Sequence, residues 1–137
     1  MTQMIFVNLP IGNLSRSRAF YQALGYGINE KFSDETGACV VMSDNIFVML
    51  LTHTKYAQFT ALPITDESKS SSHLLALSQT DRDRVDAFAA AALKAGGSET
   101  RPVQDLGFMY SRAIADPDGH VWEPFWMDPA VAQGGAD

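Results

Sequence analysis

The chain has one cysteine, no basic patch and no long apolar segment, and each of these features excludes a class of protein or partner. Cys39 is the single cysteine among 137 residues, so no intramolecular disulfide can form. It lies in an apolar stretch, where a buried structural thiol is more typical than a nucleophile. The first six residues lack the basic region and the apolar core of a secretory signal. We therefore expect a cytoplasmic protein.

The charge and the apolar runs also exclude two kinds of partner. The net charge is −6, charged residues make up 19% of the chain, and no basic patch with interleaved aromatics occurs. Attraction to nucleic acid is therefore not expected. Apolar runs such as Ile46–Leu51 are far too short to span a bilayer, so no membrane partner is expected either.

The chain does contain a weak internal repeat. An acidic turn at Asp44 precedes the apolar run Ile46–Leu51, and a second acidic turn at residues 116–119 precedes the run Val121–Phe125. Each run closes a stretch that opens with a strand and then a helix. Two copies of one small unit predict a paired architecture with a cleft between equivalent strands.

The hydrophobic periodicity gives the order β-α-β-β-β in each half of the chain. In the first half we predict a helix at 16–24, capped by Asn13 or Ser15, and strands at 5–11, 28–32, 38–42 and 46–52. In the second half we predict a helix at 82–95, capped by Thr80 or Asp81, and strands at 73–78, 99–102, 108–115 and 120–127. Pro124 donates no ladder bond, so it predicts an edge, a bulge or an unusual pairing.

Residues 53–72 change to Thr, Ser, Lys and Pro, which predicts a linker or a pocket lid without a strand or a regular helix. The predicted organisation is a single domain over residues 1–137, with module one at about 4–53, this linker, and module two at about 73–128. The tail at 133–137 is expected to fray.

Two motifs carry a resemblance to a known family. Residues 20–25 read Phe-Tyr-x-x-Leu-Gly, and residues 116–123 read Asp-Pro-Asp-Gly-x-x-x-Glu at the start of the last strand. With the tandem modules, they resemble the vicinal oxygen chelate superfamily, which includes glyoxalase I, bleomycin-resistance proteins and extradiol dioxygenases. The chain is most similar to small predicted lactoylglutathione lyases. The resemblance implies an α+β fold whose modules form a curved mixed sheet or half-barrel around a cleft, a small-molecule ligand and a homodimer.

The resemblance also locates a metal site, because catalytic members hold a divalent metal with one side chain from the first and last strand of each module. Those four positions correspond here to Phe6, Met49, Leu74 and Glu123, of which only Glu123 offers an oxygen ligand. A one-residue change of register would put His73 in place of Leu74. The sequence therefore predicts either no cofactor or a divalent metal held by His73 and Glu123.

Without a metal, the same region resembles a small-molecule pocket with apolar walls. Glu123 could act there as a general acid or base, or recognise a ligand cation. It could equally be bonded to Asn8, Tyr110 or Arg112, and each apolar residue could simply belong to the core. Tyr110 and Arg112 share a face, which could bind a ligand carboxylate or lie in solvent. The predicted ligand-binding residues are Phe6, Asn8, Met49, Leu51, Leu74, Tyr110, Arg112 and Phe125, with Glu123 as the catalytic residue.

Two functions follow from these residues. The first is a glyoxalase- or bleomycin-resistance-like protein with a degenerate metal site, which binds or transforms a small hydrophobic or electrophilic molecule. The alternative is a metal-dependent enzyme, similar to lactoylglutathione lyases or dioxygenases, that uses His73 and Glu123. The residues support both a binding protein and an enzyme.

Overall fold

A computed structural model describes residues 2–134 of the chain. The chain divides after Ser70 into two compact units. Each unit contains one mixed sheet and its own helices. The predicted α+β class with two βαβββ modules is confirmed. Of the tail predicted to fray, residues 133 and 134 end the last helix, and residues 135–137 lie outside the described part of the chain.

Unit 1 is a four-stranded sheet in which the first and last strands lie side by side. Its elements are β1 (Ile5–Ile11), α1 (Leu14–Ala23), β2 (Gly27–Asp34), β3 (Gly37–Val41), β4 (Ile46–Thr52) and α2 (His53–Tyr56). The strand order is β1-β4-β3-β2. The β1–β4 pair is parallel, and the two remaining pairs are antiparallel.

One face of the unit 1 sheet packs against α1 and forms the core. Leu9 and Leu50 alternate with outward residues and are almost fully buried there. Phe20 and Tyr21 of α1 are also buried, with their rings 5.0 Å apart at 79°. Burying one such side chain stabilises the fold by about 1.5–3 kcal/mol. The opposite face of the sheet is therefore left for other contacts.

The ends of α1 follow from its sequence. The side-chain oxygen of Asn13 accepts a hydrogen bond from the backbone N–H of Arg16 at 3.0 Å, which caps the first turn. The helix is followed by Gly25 at φ +97°, a conformation that disfavours other residues. Asn13, one of the two predicted caps, is confirmed.

Unit 2 repeats the arrangement with more broken strands. Its elements are β5 (Leu74–Ser78), α3 (Arg82–Lys94), β6 (Ser98–Glu99), β7 (Gln104–Asp105), β8 (Met109–Ser111), β9 (Ile114–Ala115), β10 (Val121–Met127) and α4 (Pro129–Gly134). Strand β10 pairs with β5 in parallel and with β8 and β9 in antiparallel fashion. Asp81, one of the two predicted caps, caps α3 by accepting from the N–H of Arg84 at 2.8 Å.

The buried stripe of α3 joins this helix to the sheet of unit 2. The predicted stripe residues Val85, Phe88, Ala89 and Ala92 are all buried. On the sheet side they face β10, where Trp122 is 3% exposed. None of the helices in the described range 2–134 is long and apolar enough to cross a membrane.

The single strand predicted at 108–115 is wrong, because the structure has two short strands there, β8 and β9. The interruption lies opposite Pro124, which has no N–H to donate. Of the two backbone hydrogen bonds that could join Pro124 and Arg112, one is therefore missing. In the other, the carbonyl oxygen of Pro124 accepts from the N–H of Arg112 at 3.1 Å. Pro124 therefore marks an unusual pairing in an inner strand and not an edge.

Several other bounds also differ from the prediction, and three of the differences add, shorten or create an element. The linker contains one helical turn, α2, capped by Thr52, whose Oγ1 accepts from the N–H of Lys55 at 3.3 Å. The strand predicted at 99–102 is only Ser98–Glu99, since Pro102 cannot donate to a ladder. Strand β7 was not predicted, because two residues carry no periodic pattern.

Candidate functional site

Glu123 lies in the middle of β10, on the face of the sheet that does not contact α3. Its neighbours Trp122 and Pro124 point to the helix side and are buried. Glu123 is half-buried, with 21% of its side chain exposed. The alternation predicted for this strand, with Phe125 and Met127 on the face of Glu123, agrees with the paired register.

The partner of Glu123 in unit 2 is Arg101. Arg101 Nη2 donates to Glu123 Oε2 at 3.3 Å and to Ser111 Oγ at 3.2 Å. Arg101 Nη1 donates to the carbonyl oxygen of Pro102 at 3.3 Å. Because both side chains are partly exposed, this ion pair avoids the desolvation cost of full burial. Sequence reasoning missed Arg101, since it lies in an irregular segment between β6 and β7.

These residues belong to a cavity of about 300 Å³ within unit 2, which we call the Glu123 pocket. Its walls combine apolar side chains with one ion pair and two neutral polar groups. The lining residues are Ala76, Arg101, Gln104, Met109, Ser111, Glu123, Phe125 and Met127. Of the predicted site residues, the pocket contains Glu123 and Phe125.

Tyr110 and Arg112 lie on the opposite, helix-facing side of the same sheet. Tyr110 donates to Asp86 Oδ1 at 2.7 Å, and Arg112 donates to the same oxygen at 3.1 Å. Arg112 also binds both carboxylate oxygens of Glu99 at 3.0 Å. Both side chains therefore already bind acidic groups of their own unit, and neither lines the Glu123 pocket.

The pKa values on this side follow from those contacts. The hydrogen bond to Asp86 raises the pKa of Tyr110 above its ordinary value, with burial as a smaller cause. The hydrogen bonds from Arg112 lower the pKa of Glu99. The same bonds raise the pKa of Arg112. At neutral pH the carboxylate of Glu99 and the guanidinium of Arg112 are therefore charged, and the phenol of Tyr110 is neutral.

In unit 1, the predicted residues Phe6, Asn8, Met49 and Leu51 share the face opposite α1. Phe6 stacks on Phe47 with the ring centroids 4.5 Å apart and is 48% exposed. Asn8 and Leu51 line a separate cavity of about 240 Å³, which Tyr56, Phe59 and Thr60 of the following segment complete.

The β5–β10 register decides between Leu74 and His73. Leu74 pairs with Val121 and so lies on the face of Glu123, where it is 59% exposed. His73 precedes it and points to the other face, where its ring stacks on that of His120 with centroids 5.4 Å apart. His73 and Glu123 therefore do not converge on one point in this structure.

The residues at the positions of the metal ligands do not fit a divalent metal. Unit 1 supplies Phe6 and Met49, and unit 2 supplies Leu74 and Glu123. Hard divalent cations need several oxygen or nitrogen ligands, and only Glu123 offers one. Its carboxylate already binds the guanidinium of Arg101, a cation that the protein itself provides.

Several solved structures share the fold of this chain. A glyoxalase-related enzyme from Fulvimarina pelagi is 23% identical, with a TM-score of 0.77 and coverage of 92% of this chain and 88% of that chain. A glyoxalase/bleomycin resistance protein/dioxygenase family enzyme from Burkholderia phytofirmans PsJN is 18% identical, with a TM-score of 0.74 and coverage of 92% and 99%. The bleomycin resistance determinant encoded on the transposon Tn5 is 21% identical, with a TM-score of 0.61 and coverage of 93% and 99%.

The chain thus has the glyoxalase/bleomycin-resistance/dioxygenase fold, and its resemblance to the vicinal oxygen chelate superfamily is confirmed at the level of the fold. In the sequence, residues 3–43 match the family model described as bleomycin resistance protein-like N-terminal. No curated protein matches the sequence.

Proposed function

We propose that this protein binds a small, mainly apolar molecule in the Glu123 pocket. The observation that supports the proposal is a cavity of about 300 Å³ with apolar walls and one ion pair, Arg101 with Glu123. Small-molecule sites are typically concave, mostly apolar and fitted with a few polar groups that orient the ligand. One protein of the same fold is a bleomycin resistance determinant. For this chain we propose that the ligand is sequestered.

Proton transfer by Glu123 is the second candidate function. It is favoured by the position of a carboxylate beside the guanidinium of Arg101, at 3.3 Å. A guanidinium can hold a carbonyl oxygen on which negative charge develops, while a carboxylate removes a neighbouring proton. In that case Glu123→Gln would abolish turnover, whereas a pure binding protein shows no turnover in either form.

We also propose a cytoplasmic homodimer. The resemblance predicts the dimer, and the exposed apolar residues of the edge strand β1 support it. Ile5 and Phe6 are 55% and 48% exposed, and Met4 just before them is 56% exposed. Sedimentation equilibrium tests the dimer, because its mass is twice the 15.0 kDa of one chain.

A thermal-shift screen with small aromatic and aliphatic compounds tests the binding proposal, since a ligand of the native state raises the melting temperature. The decisive variant is Ala76→Phe, which fills the pocket from an exposed position on β5. Ala90→Phe is the matched control, because Ala90 is exposed on α3 of the same unit and does not line the pocket. Hits should be lost in Ala76→Phe and kept in Ala90→Phe. Hits kept in both variants would contradict the proposal.

A further inference from the structure

The ion pair in the Glu123 pocket has hydrogen-bonding capacity left on both sides. A guanidinium has five N–H donors, and three of those on Arg101 are used, by Pro102, Ser111 and Glu123. Glu123 accepts through Oε2, and within residues 2–134 its Oε1 has no hydrogen-bond donor. Both residues line the pocket, so unused donors and an unused acceptor belong to two neighbouring side chains of its wall.

The charge of the pocket favours a neutral ligand. Arg101 and Glu123 are the charged residues that line it, and their charges cancel. Gln104 and Ser111 add neutral polar groups. The pair is neutral as a whole, so it cannot balance the net charge of a charged ligand. Burying such an unbalanced charge in the pocket costs free energy. A neutral group that has a hydrogen-bond acceptor beside a donor avoids this cost.

We infer that the Glu123 pocket selects neutral molecules in which a carboxamide is attached to an apolar body. The carbonyl oxygen accepts from the free N–H groups of Arg101, and the amide N–H donates to Glu123. The apolar body lies against Phe125, Met109 and Met127. This inference rests on the proposed function, because it names the ligand class of the same pocket.

The size of the cavity sets the scale of the ligand. At about 300 Å³ the pocket is at the lower end of the range for small-molecule sites. A single ring with a short chain and an amide group fits this volume. Large polycyclic molecules do not fit inside it.

The test compares three molecules of one shape and different charge: 3-phenylpropanamide, 3-phenylpropanoate and 3-phenylpropylamine. Calorimetric titration of the full chain at pH 7.5 should give the amide an affinity about tenfold higher than that of the acid or the amine, as expected for a loss of about 1.4 kcal/mol. Tighter binding of the acid or of the amine overturns the inference and leaves the binding proposal standing.

Two variants distinguish recognition by the pair from a purely structural role. Glu123→Gln leaves Arg101 uncompensated, so the preference should move to 3-phenylpropanoate. Arg101→Gln leaves Glu123 uncompensated, so the preference should move to 3-phenylpropylamine. A structural role would weaken all three ligands equally, which overturns the inference. If 3-phenylpropanamide does not bind while screening hits depend on Ala76, the inference alone falls; if no compound depends on Ala76, both fall.

Discussion

Arg101 donates to Glu123 across 3.3 Å, and this pair lies on the face of unit 2 that the helix α3 leaves open. A double-mutant cycle with Arg101→Gln and Glu123→Gln should give a coupling energy of about 1 kcal/mol, since both side chains are partly exposed. The coupling should decrease from low to 1 M NaCl because salt screens exposed charges. Urea denaturation of the wild type, the two single variants and the double variant measures the coupling energy. A coupling energy of zero at low salt would contradict an ion pair between Arg101 and Glu123.

The Glu99–Arg112 contact predicts a dependence of stability on pH. Hydrogen bonds from Arg112 lower the pKa of Glu99 below its ordinary value of 4.5. A carboxyl with a lowered pKa in the folded state stabilises the protein fully above that ordinary value, and the stabilisation is lost as the pH falls through the folded-state pKa. Urea midpoints measured from pH 6 to pH 3 should therefore fall less steeply in Arg112→Gln than in the wild type. Parallel curves would show that the contact is not formed in solution.

Gly97 is predicted to tolerate no side chain. A Cβ there would lie 2.7 Å from the carbonyl oxygen of Ala115 and 2.9 Å from that of Ala92, and both are backbone atoms that cannot move aside. Gly97→Ala should therefore destabilise the fold by about 1–3 kcal/mol. Gly27→Ala is the control, because a Cβ at Gly27 meets no atom within 4 Å. Equal denaturation midpoints for the two variants would contradict the close approach at Gly97.

Arg82 is predicted to fix the position of residues 100–107, which include Arg101 and Gln104 of the pocket. It binds both carboxylate oxygens of Asp105, at 2.9 and 3.0 Å, next to Gln104 of the pocket. Its guanidinium also lies over the rings of Tyr110 and Trp126, at 5.1 and 5.3 Å from their centroids.

Replacing Arg82 by Lys keeps the charge but removes the planar fork, so Arg82→Lys should weaken the binding of screening hits and change the Trp126 fluorescence. Arg84→Lys, on an exposed residue of the same helix, should change neither. Ligand affinity that is equal in the two variants would show that Arg82 does not position the pocket.

The sequence was sufficient for the parts of the fold that repeat with a regular period. The bounds of β1 and β4 are those predicted, and the alternation that puts Glu123 and Phe125 on one face was also predicted correctly. These features depend on local patterns, in which each strand residue alternates between two faces. Arg101, the partner of Glu123, could not be predicted, because its position depends on the path of residues 100–107. This segment contains Pro102 and Gly107, the latter at φ +82°, and has no regular hydrophobic pattern.

The choice between His73 and Leu74 was beyond the sequence for a different reason. A shift of one residue in the β5–β10 register exchanges the two faces of the strand. Only the pairing of Leu74 with Val121 decides that His73 stacks on His120. A sequence pattern that fits two registers equally well predicts the strand, but it does not predict which residue faces Glu123.

The location of the ligand can be measured directly by NMR of methionine methyl groups during titration with the tightest hit of the thermal-shift screen. The chain has 6 methionines, of which Met109 and Met127 line the Glu123 pocket and Met4 is exposed outside it. Single Met→Leu variants assign the signals. We predict that the Met109 and Met127 signals shift with a common dissociation constant and that the Met4 signal does not move. Saturable shifts at Met49 of unit 1, with Met109 and Met127 unchanged, would contradict binding in the Glu123 pocket.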